Sequence, residues 1–152
     1  MGDDDFRIEL GDWAAMRSRA APVRFTVFVE EQKVPAEIEL DEFDPHCVHA
    51  LAIDGRGRVL GTGRLLPDGH VGRMAVLRDA RGRGVGSALL RALMRAARER
   101  GDRSVVLSAQ THAIPFYERF GFVATGAEYD DAGIPHRDMH LELRPAGTTA
   151  EP

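Results

Sequence analysis

The sequence predicts an α/β fold of the mixed, α+β kind in one domain: a largely antiparallel sheet with a single parallel step, covered by helices. Three observations carry this. The stretch 71–101 runs from the apolar segment Met74-Ala75-Val76-Leu77 through Arg81-Gly82-Arg83-Gly84-Val85-Gly86 straight into a helical pattern. Three strand-like stretches in meander order lead up to that loop and should pair antiparallel. Beyond the helix, Ser104 to Ala109 (SVVLSA) reads as a buried strand, which a right-handed crossover sets parallel to the fourth.

Taken in order, Phe6 to Leu10 alternates apolar and polar residues as a first strand, stopped at Gly11-Asp12, where Asp12 can cap a helix. Trp13 to Glu31 is helical in composition, and Pro22 should split it into two helices or kink one. Glu30 to Asp44 holds seven carboxylates and one lysine, with Pro35 as a helix breaker, and reads as a solvated acidic loop. A sharper reading lines a pocket for a cationic substrate with some of Glu30, Glu31, Glu37, Glu39 and Asp41. If the chain is extended there, Glu37, Glu39 and Asp41 share a face.

Strands follow at His49–Ile53 and Arg58–Leu66 around Asp54-Gly55-Arg56-Gly57, then at His70–Leu77 after Pro67-Asp68-Gly69. In the long helix Val85, Ala88, Leu89, Ala92, Leu93, Ala96 and Ala97 form an apolar face, with Arg91, Arg95 and Arg98 opposite. A short helix carries Pro115 in its first turn and stops at Gly121. Phe122–Tyr129 and Pro135–Leu143 are two further strands around Asp130-Asp131-Ala132-Gly133. The domain is expected over 1–145, with 146–152 a disordered tail.

The loop's chemistry follows from its glycines. They leave backbone N–H groups uncovered, and the helix behind adds its first-turn donors and positive dipole end, a site suited to phosphate or pyrophosphate. A Walker loop would need Gly-Lys-Ser/Thr, and the dinucleotide fingerprint would need glycine where Ser87 stands.

Composition narrows the classes. The chain has 152 residues, 43% hydrophobic and 29% charged, as in ordinary globular proteins. No apolar run reaches membrane-spanning length and MGDDDF does not read as a signal peptide, so the expected location is the cytoplasm, away from membranes. A net charge of −4 disfavours a nucleic-acid partner, and the Arg91, Arg95, Arg98 stripe reads as a solvated face. The single cysteine, Cys47, excludes an internal disulfide and reads as packing. His136, Asp138 and His140 share a strand face, and His46 and His49 flank Cys47, yet neither group completes a ligand set, so no metal is expected.

Two widely spaced motifs bring a family into view. Arg81-x-x-Gly84-x-Gly86 after an apolar strand resembles the acetyl-CoA signature of the GNAT acyltransferase superfamily, and Ala113-x-x-Phe116-Tyr117-Glu118-x-x-Gly121-Phe122 resembles its short tyrosine-bearing helix. The Val27–Gln32 and Asp131–Met139 phrases are similar to the branch often called ElaA-like or YjcF-like. The resemblance covers residues 6–143. It implies the order β-α-α-β-β-β-α-β-α-β-β with the fourth and fifth strands splayed around the pantetheine arm.

It further implies direct acetyl transfer from acetyl-CoA, as co-substrate, to an amine in a ternary complex, by a monomer or homodimer. Arg81, Gly82, Arg83, Gly84, Val85, Gly86 and Ser87 would hold the pyrophosphate. Met74, Ala75 and Val76 would meet the thioester, with Gln110, Phe116 and Tyr117 beside the arm. Many members carry Asn where this chain has Gln110. Tyr117 would serve the departing thiolate as general acid. An alkylammonium has a pKa of about 10, so a group must take its proton. The candidates are Glu30, Glu31, Glu37, Asp41 and His136. A competing reading is a non-catalytic acyl-CoA sensor or interaction module that keeps the loop.

Overall fold

The computed structural model describes residues 5–144, and the tail expected over 146–152 lies outside them. The strands are β1 (Phe6–Gly11), β2 (Val48–Asp54), β3 (Val59–Leu65), β4 (His70–Val76), β5 (Ser104–Gln110), β6 (Val123–Asp131) and β7 (Ile134–Glu142). They form one sheet in the order β1-β2-β3-β4-β5-β7-β6. Neighbours are antiparallel except β4 and β5, which run parallel. Helices α1 (Trp13–Arg24), α2 (Ala36–Glu39), α3 (Val85–Glu99) and α4 (Ile114–Glu118) complete the predicted mixed α/β fold.

Both faces of the sheet's first half are covered, which explains why β2 is apolar at successive positions rather than alternate ones. Ala50 and Ala52 join the core under α3, whereas Leu51 and Ile53 pack with Met16 and Ala20 of α1. The apolar stripe of α3 (Val85, Leu89, Leu90, Leu93, Ala97) is fully buried. It lies so close to β3 that a Cβ on Gly61 would come within 2.9 Å of the Ala75 carbonyl oxygen and 3.1 Å of Leu89. Glycine there is a condition of that approach.

Pro22 does not divide the first helix. α1 runs through it to Arg24, and the chain then widens into a π-helical segment, Phe25–Glu31. The break falls later because Pro22 forfeits only the bond to the Ser18 carbonyl, and both residues are exposed, where water can take that role.

The acidic stretch departs further from expectation. It contains α2 and a 3₁₀ turn, Asp44–His46, and three of its carboxylates are bound by arginines. Glu39 and Asp44 are buried at 3% and 1% exposure around Arg24 at 1%. Arg24 Nε donates to Glu39 Oε1 at 2.9 Å and its Nη1 to Asp44 Oδ1 at 2.8 Å. Arg64 bonds Asp41 at 2.7 Å and Asp44 at 2.8 Å, and Arg73 reaches Asp41 at 3.1 Å. Three arginines from α1, β3 and β4 thus neutralise three carboxylates in one network that pins α2 against β4. Glu37, two residues before Glu39 and so more than half a turn round α2 from it, is exposed, and the shared face expected of Glu37, Glu39 and Asp41 does not form.

Removing one member of such a network strands its partners' charges in the interior. Arg24→Ala should lower unfolding free energy by about 3–5 kcal/mol, read as a shift in urea midpoint at unchanged slope. The network also sets an acid limit. Burial opposes ionisation of Asp44, but hydrogen bonds from Arg24, the Asp41 amide and Arg64 outweigh it and hold the carboxyl at about 2, below its ordinary 3.8. Its contribution, about 2 kcal/mol by proton linkage, is complete above pH 4 and is lost as pH falls through about 2. Denaturant midpoints of Asp44→Asn and wild type should accordingly converge in that acid window and stand apart at neutral pH.

β4 carries a bulge. Opposite Thr62 and Arg64 of β3 stand Ala75 and Gly72, one residue too many, and Arg73 in the excess has φ +49°. β4 pairs with β5 only at His70↔Val106 and Val71↔Leu107. Past the bulge the two strands part, as the splay predicted for them requires.

Candidate active site

The cleft between β4 and β5 opens toward the glycine loop. Gly82 and Gly84 have φ of +80° and +81°, and a Cβ on either would meet nothing within 4 Å. The backbone is therefore bare on that surface. Gly84 caps α3 without any side-chain hydrogen bond, and the first helical bond runs from the Ala88 N–H to the Gly84 carbonyl at 3.0 Å. The N–H groups of Val85, Gly86 and Ser87 consequently have no acceptor within the helix. They stand at the positive end of fifteen aligned residues, a cradle that fits a pyrophosphate.

Arg81 braces this loop. Its Nε–H donates to the Val76 carbonyl at 2.9 Å, and its two Nη groups hold both oxygens of Glu31 at 2.7 Å. Those bonds keep the Glu31 carboxyl below its usual range. One ion pair thus ties the loop to the end of the π-helical segment. Arg83 is half-buried beside it.

Past the bulge, the edge of Met74, Ala75 and Val76 that faces β5 is unpaired. Facing the cleft from α4, Phe116 comes within 3.7 Å of the position a Gly86 Cβ would take. Tyr117 meets Phe116 and Phe122 edge-on, at ring separations of 5.1 and 5.9 Å. Burial pushes its phenol up to about 12. Among the described residues no group bonds its hydroxyl.

On the other side of the cleft lies a cavity of about 110 Å³, walled by Phe28, Gln32, Glu39, Arg73, Gln110 and His136 among others. Gln110 bonds through both amide atoms at its rim: Nε2 donates to Gln32 Oε1 at 2.9 Å, and Oε1 accepts from His112 Nε2 at 2.8 Å. His136 donates Nδ1–H to the Ile134 carbonyl at 2.7 Å and stacks on Tyr129. A carbonyl can only accept, so the neutral ring carries its lone pair on Nε2.

The proton-acceptor candidates are dispersed. Glu30 and Glu37 are exposed and outside the cavity wall. Glu31 is held by Arg81, and Asp41 by Arg64 and Arg73. His136 lines the cavity, together with Glu39 from the acidic stretch. Gln32, Arg73 and Phe28 also line it, and sequence reasoning gave them no role. For Arg73 a signal existed: it is the one charged residue within the strand HVGRMAV, where the bulge lies.

Cys47 is buried, its thiol donates to the Phe43 carbonyl at 3.2 Å, and burial pushes it up to about 11. It offers no thiolate at neutral pH. Tyr129 donates to Asp138 at 2.6 Å, and Arg91 lies over the Phe120 ring at 5.2 Å. No helix among the described residues is long and apolar enough to cross a membrane.

Comparison with known proteins places this geometry among acyltransferases. The acetyltransferase (GNAT) domain family matches residues 16–143. The uncharacterised N-acetyltransferase YjcF of Bacillus subtilis is 43% identical over 121 residues, 77% of this chain and 86% of that protein. An acyl-CoA N-acyltransferase from Pseudomonas aeruginosa superposes with a TM-score of 0.81 at 32% identity, covering 90% of this chain and 99% of its own. Escherichia coli ElaA does so with a TM-score of 0.79 at 26% identity over the same shares.

Proposed function

Since the chain belongs to the acetyltransferase (GNAT) family, we propose that it transfers the acetyl group of acetyl-CoA to a primary amine of a cationic small molecule or peptide by direct attack in a ternary complex. The observation that carries this reading is the cleft itself, which runs from the parted β4 and β5 to uncapped α3 amides. The amides from Gly82 to Ser87 hold the pyrophosphate, and Arg81 fixes the loop through Val76 and Glu31 rather than by its free charge. A backbone N–H within Met74–Val76 polarises the thioester carbonyl as a single-donor oxyanion site. Phe116 and Gln110 flank the arm.

Tyr117 stands ready for the leaving sulfur. A phenol at about 12 facing a thiol of pKa about 8.5 stays protonated at every working pH, so it stabilises the thiolate as a hydrogen-bond donor. The protein works as one domain over residues 1–145, in the cytoplasm, as a monomer or homodimer.

Incubation with acetyl-CoA and a panel of polyamines, amino sugars, aminoglycosides and lysine peptides, following free thiol, tests this. Amine-dependent thiol release is expected with at least one acceptor. Tight coenzyme binding with no release across the panel would instead indicate an acyl-CoA sensor.

A further inference from the structure

We propose that Glu39 and His136 together form the acceptor-amine site, Glu39 Oε2 as hydrogen-bond acceptor for the incoming ammonium and His136 Nε2 as the atom that takes its proton. The inference deepens the acyltransfer reading and rests on it. Both side chains line the one cavity beside the cleft, and both are more than nine-tenths buried, at 3% and 8% exposure. Each keeps one polar atom without a protein partner among the described residues. Glu39 gives Oε1 to Arg24 at 2.9 Å and to Arg73 at 3.4 Å, leaving Oε2. His136 commits Nδ1 to the Ile134 carbonyl, leaving the Nε2 lone pair. Neither remaining atom is among the described side-chain atoms that are both sealed from solvent and unbonded. A buried carboxylate oxygen and a buried imidazole nitrogen lining one small cavity, both acceptors, match the N–H donors of an alkylammonium ion.

The other candidates lack this combination. Glu30 and Glu37 are exposed, and Glu31 and Asp41 have both carboxylate oxygens bonded by arginines, where Glu39 has one. Phe28, Val34 and Ile134 supply apolar wall. A volume near 110 Å³ corresponds to roughly four waters at about 30 Å³ each, enough for an ammonium group and a short unbranched stem. The rest of the acceptor stays outside, past Asp131 at the rim.

The proton balance is complete. The ammonium R–NH3⁺ gives one proton to Nε2, and the freed lone pair forms the C–N bond. The C–S bond breaks with its pair on sulfur, and a second proton from nitrogen neutralises that thiolate beside Tyr117. The imidazolium then releases its proton to solvent, one per turnover.

His136→Asn is the decisive variant, because its amide NH2 can replace the Nδ1–H bond to Ile134 while nothing replaces Nε2. With 1,4-diaminobutane as acceptor, kcat/KM should fall by about a hundredfold or more, with the KM for acetyl-CoA within a few-fold. Other groups facing the ring are Glu39 from α2, Arg73 from β4, and Asp131 and Tyr129 from β6, with Asp138 behind Tyr129. All remain in the variant, so the loss reads His136 itself, and retention of kcat/KM within threefold overturns the assignment.

Glu39→Gln, checked for folding by circular dichroism, should raise the diamine KM at least tenfold; an unchanged KM in a folded variant overturns the Glu39 role. Titration of the histidine ring resonances with 1,4-diaminobutane reads the site without turnover. A shift of the signal missing in His136→Asn supports the cavity, and no shift overturns it. Wild-type protein that shows this shift but releases no thiol contradicts the acyltransfer reading while leaving the amine site standing. Comparing rates for the free diamine and a lysine peptide tells which source of alkylammonium the protein prefers.

Discussion

Gly86→Glu should weaken acetyl-CoA binding by about a hundredfold or more while the protein stays folded. The backbone at Gly86 is helical, and an added Cβ would sit 3.7 Å from Phe116 and 3.8 Å from Val76, ordinary contact distances. A carboxylate in the first turn also suits the positive end of α3, so the fold gains rather than loses. The same charge stands where the pyrophosphate must lie, and like charges brought together cost several kcal/mol, each about 1.4 of which is tenfold in affinity. Gly84→Glu is a poorer test, because φ +81° there would strain any side chain by about 1–2 kcal/mol. Calorimetry of folded Gly86→Glu that gave wild-type affinity would move the coenzyme site elsewhere.

Tyr117→Phe should lower kcat by about a hundredfold and leave acetyl-CoA affinity within a few-fold. The ring that meets Phe116 and Phe122 is kept, and the hydroxyl removed has no protein partner among the described residues, so stability should hardly change. What is lost is one donor to a charged leaving group, an interaction made mainly as the C–S bond breaks. Because the phenol lies near 12, the wild-type rate should show no tyrosine-linked decline below pH 10. A full kcat in Tyr117→Phe, with chemistry shown to limit turnover, would reduce Tyr117 to a packing residue.

The parts of the fold that sequence reasoning reached are those encoded locally. The apolar stripe of α3, the glycines before it and the turn residues at Asp54-Gly55 and Ala132-Gly133 each act within one element or one turn. What it could not reach depends on chain segments meeting in space. Arg24 lies among apolar residues, and only the arrival of Glu39 and Asp44 from 15 and 20 positions along makes its burial possible. The bulge at Arg73 is a mismatch between two strands and has no period of its own. The cavity beside the cleft draws on the π-helical segment, α2, β4, β5 and the β6–β7 hairpin, so its wall could not be assembled from any one motif.

Direct transfer is the centre of the account, and label transfer with and without acceptor tests it most directly. The protein is mixed with acetyl-CoA labelled in the acetyl group, first alone and then with 1,4-diaminobutane. Direct transfer predicts no thiol and no protein-bound label before the amine is added, and afterwards one labelled amide for each thiol released. A stoichiometric burst of thiol without amine, with the label left on the protein, would contradict it.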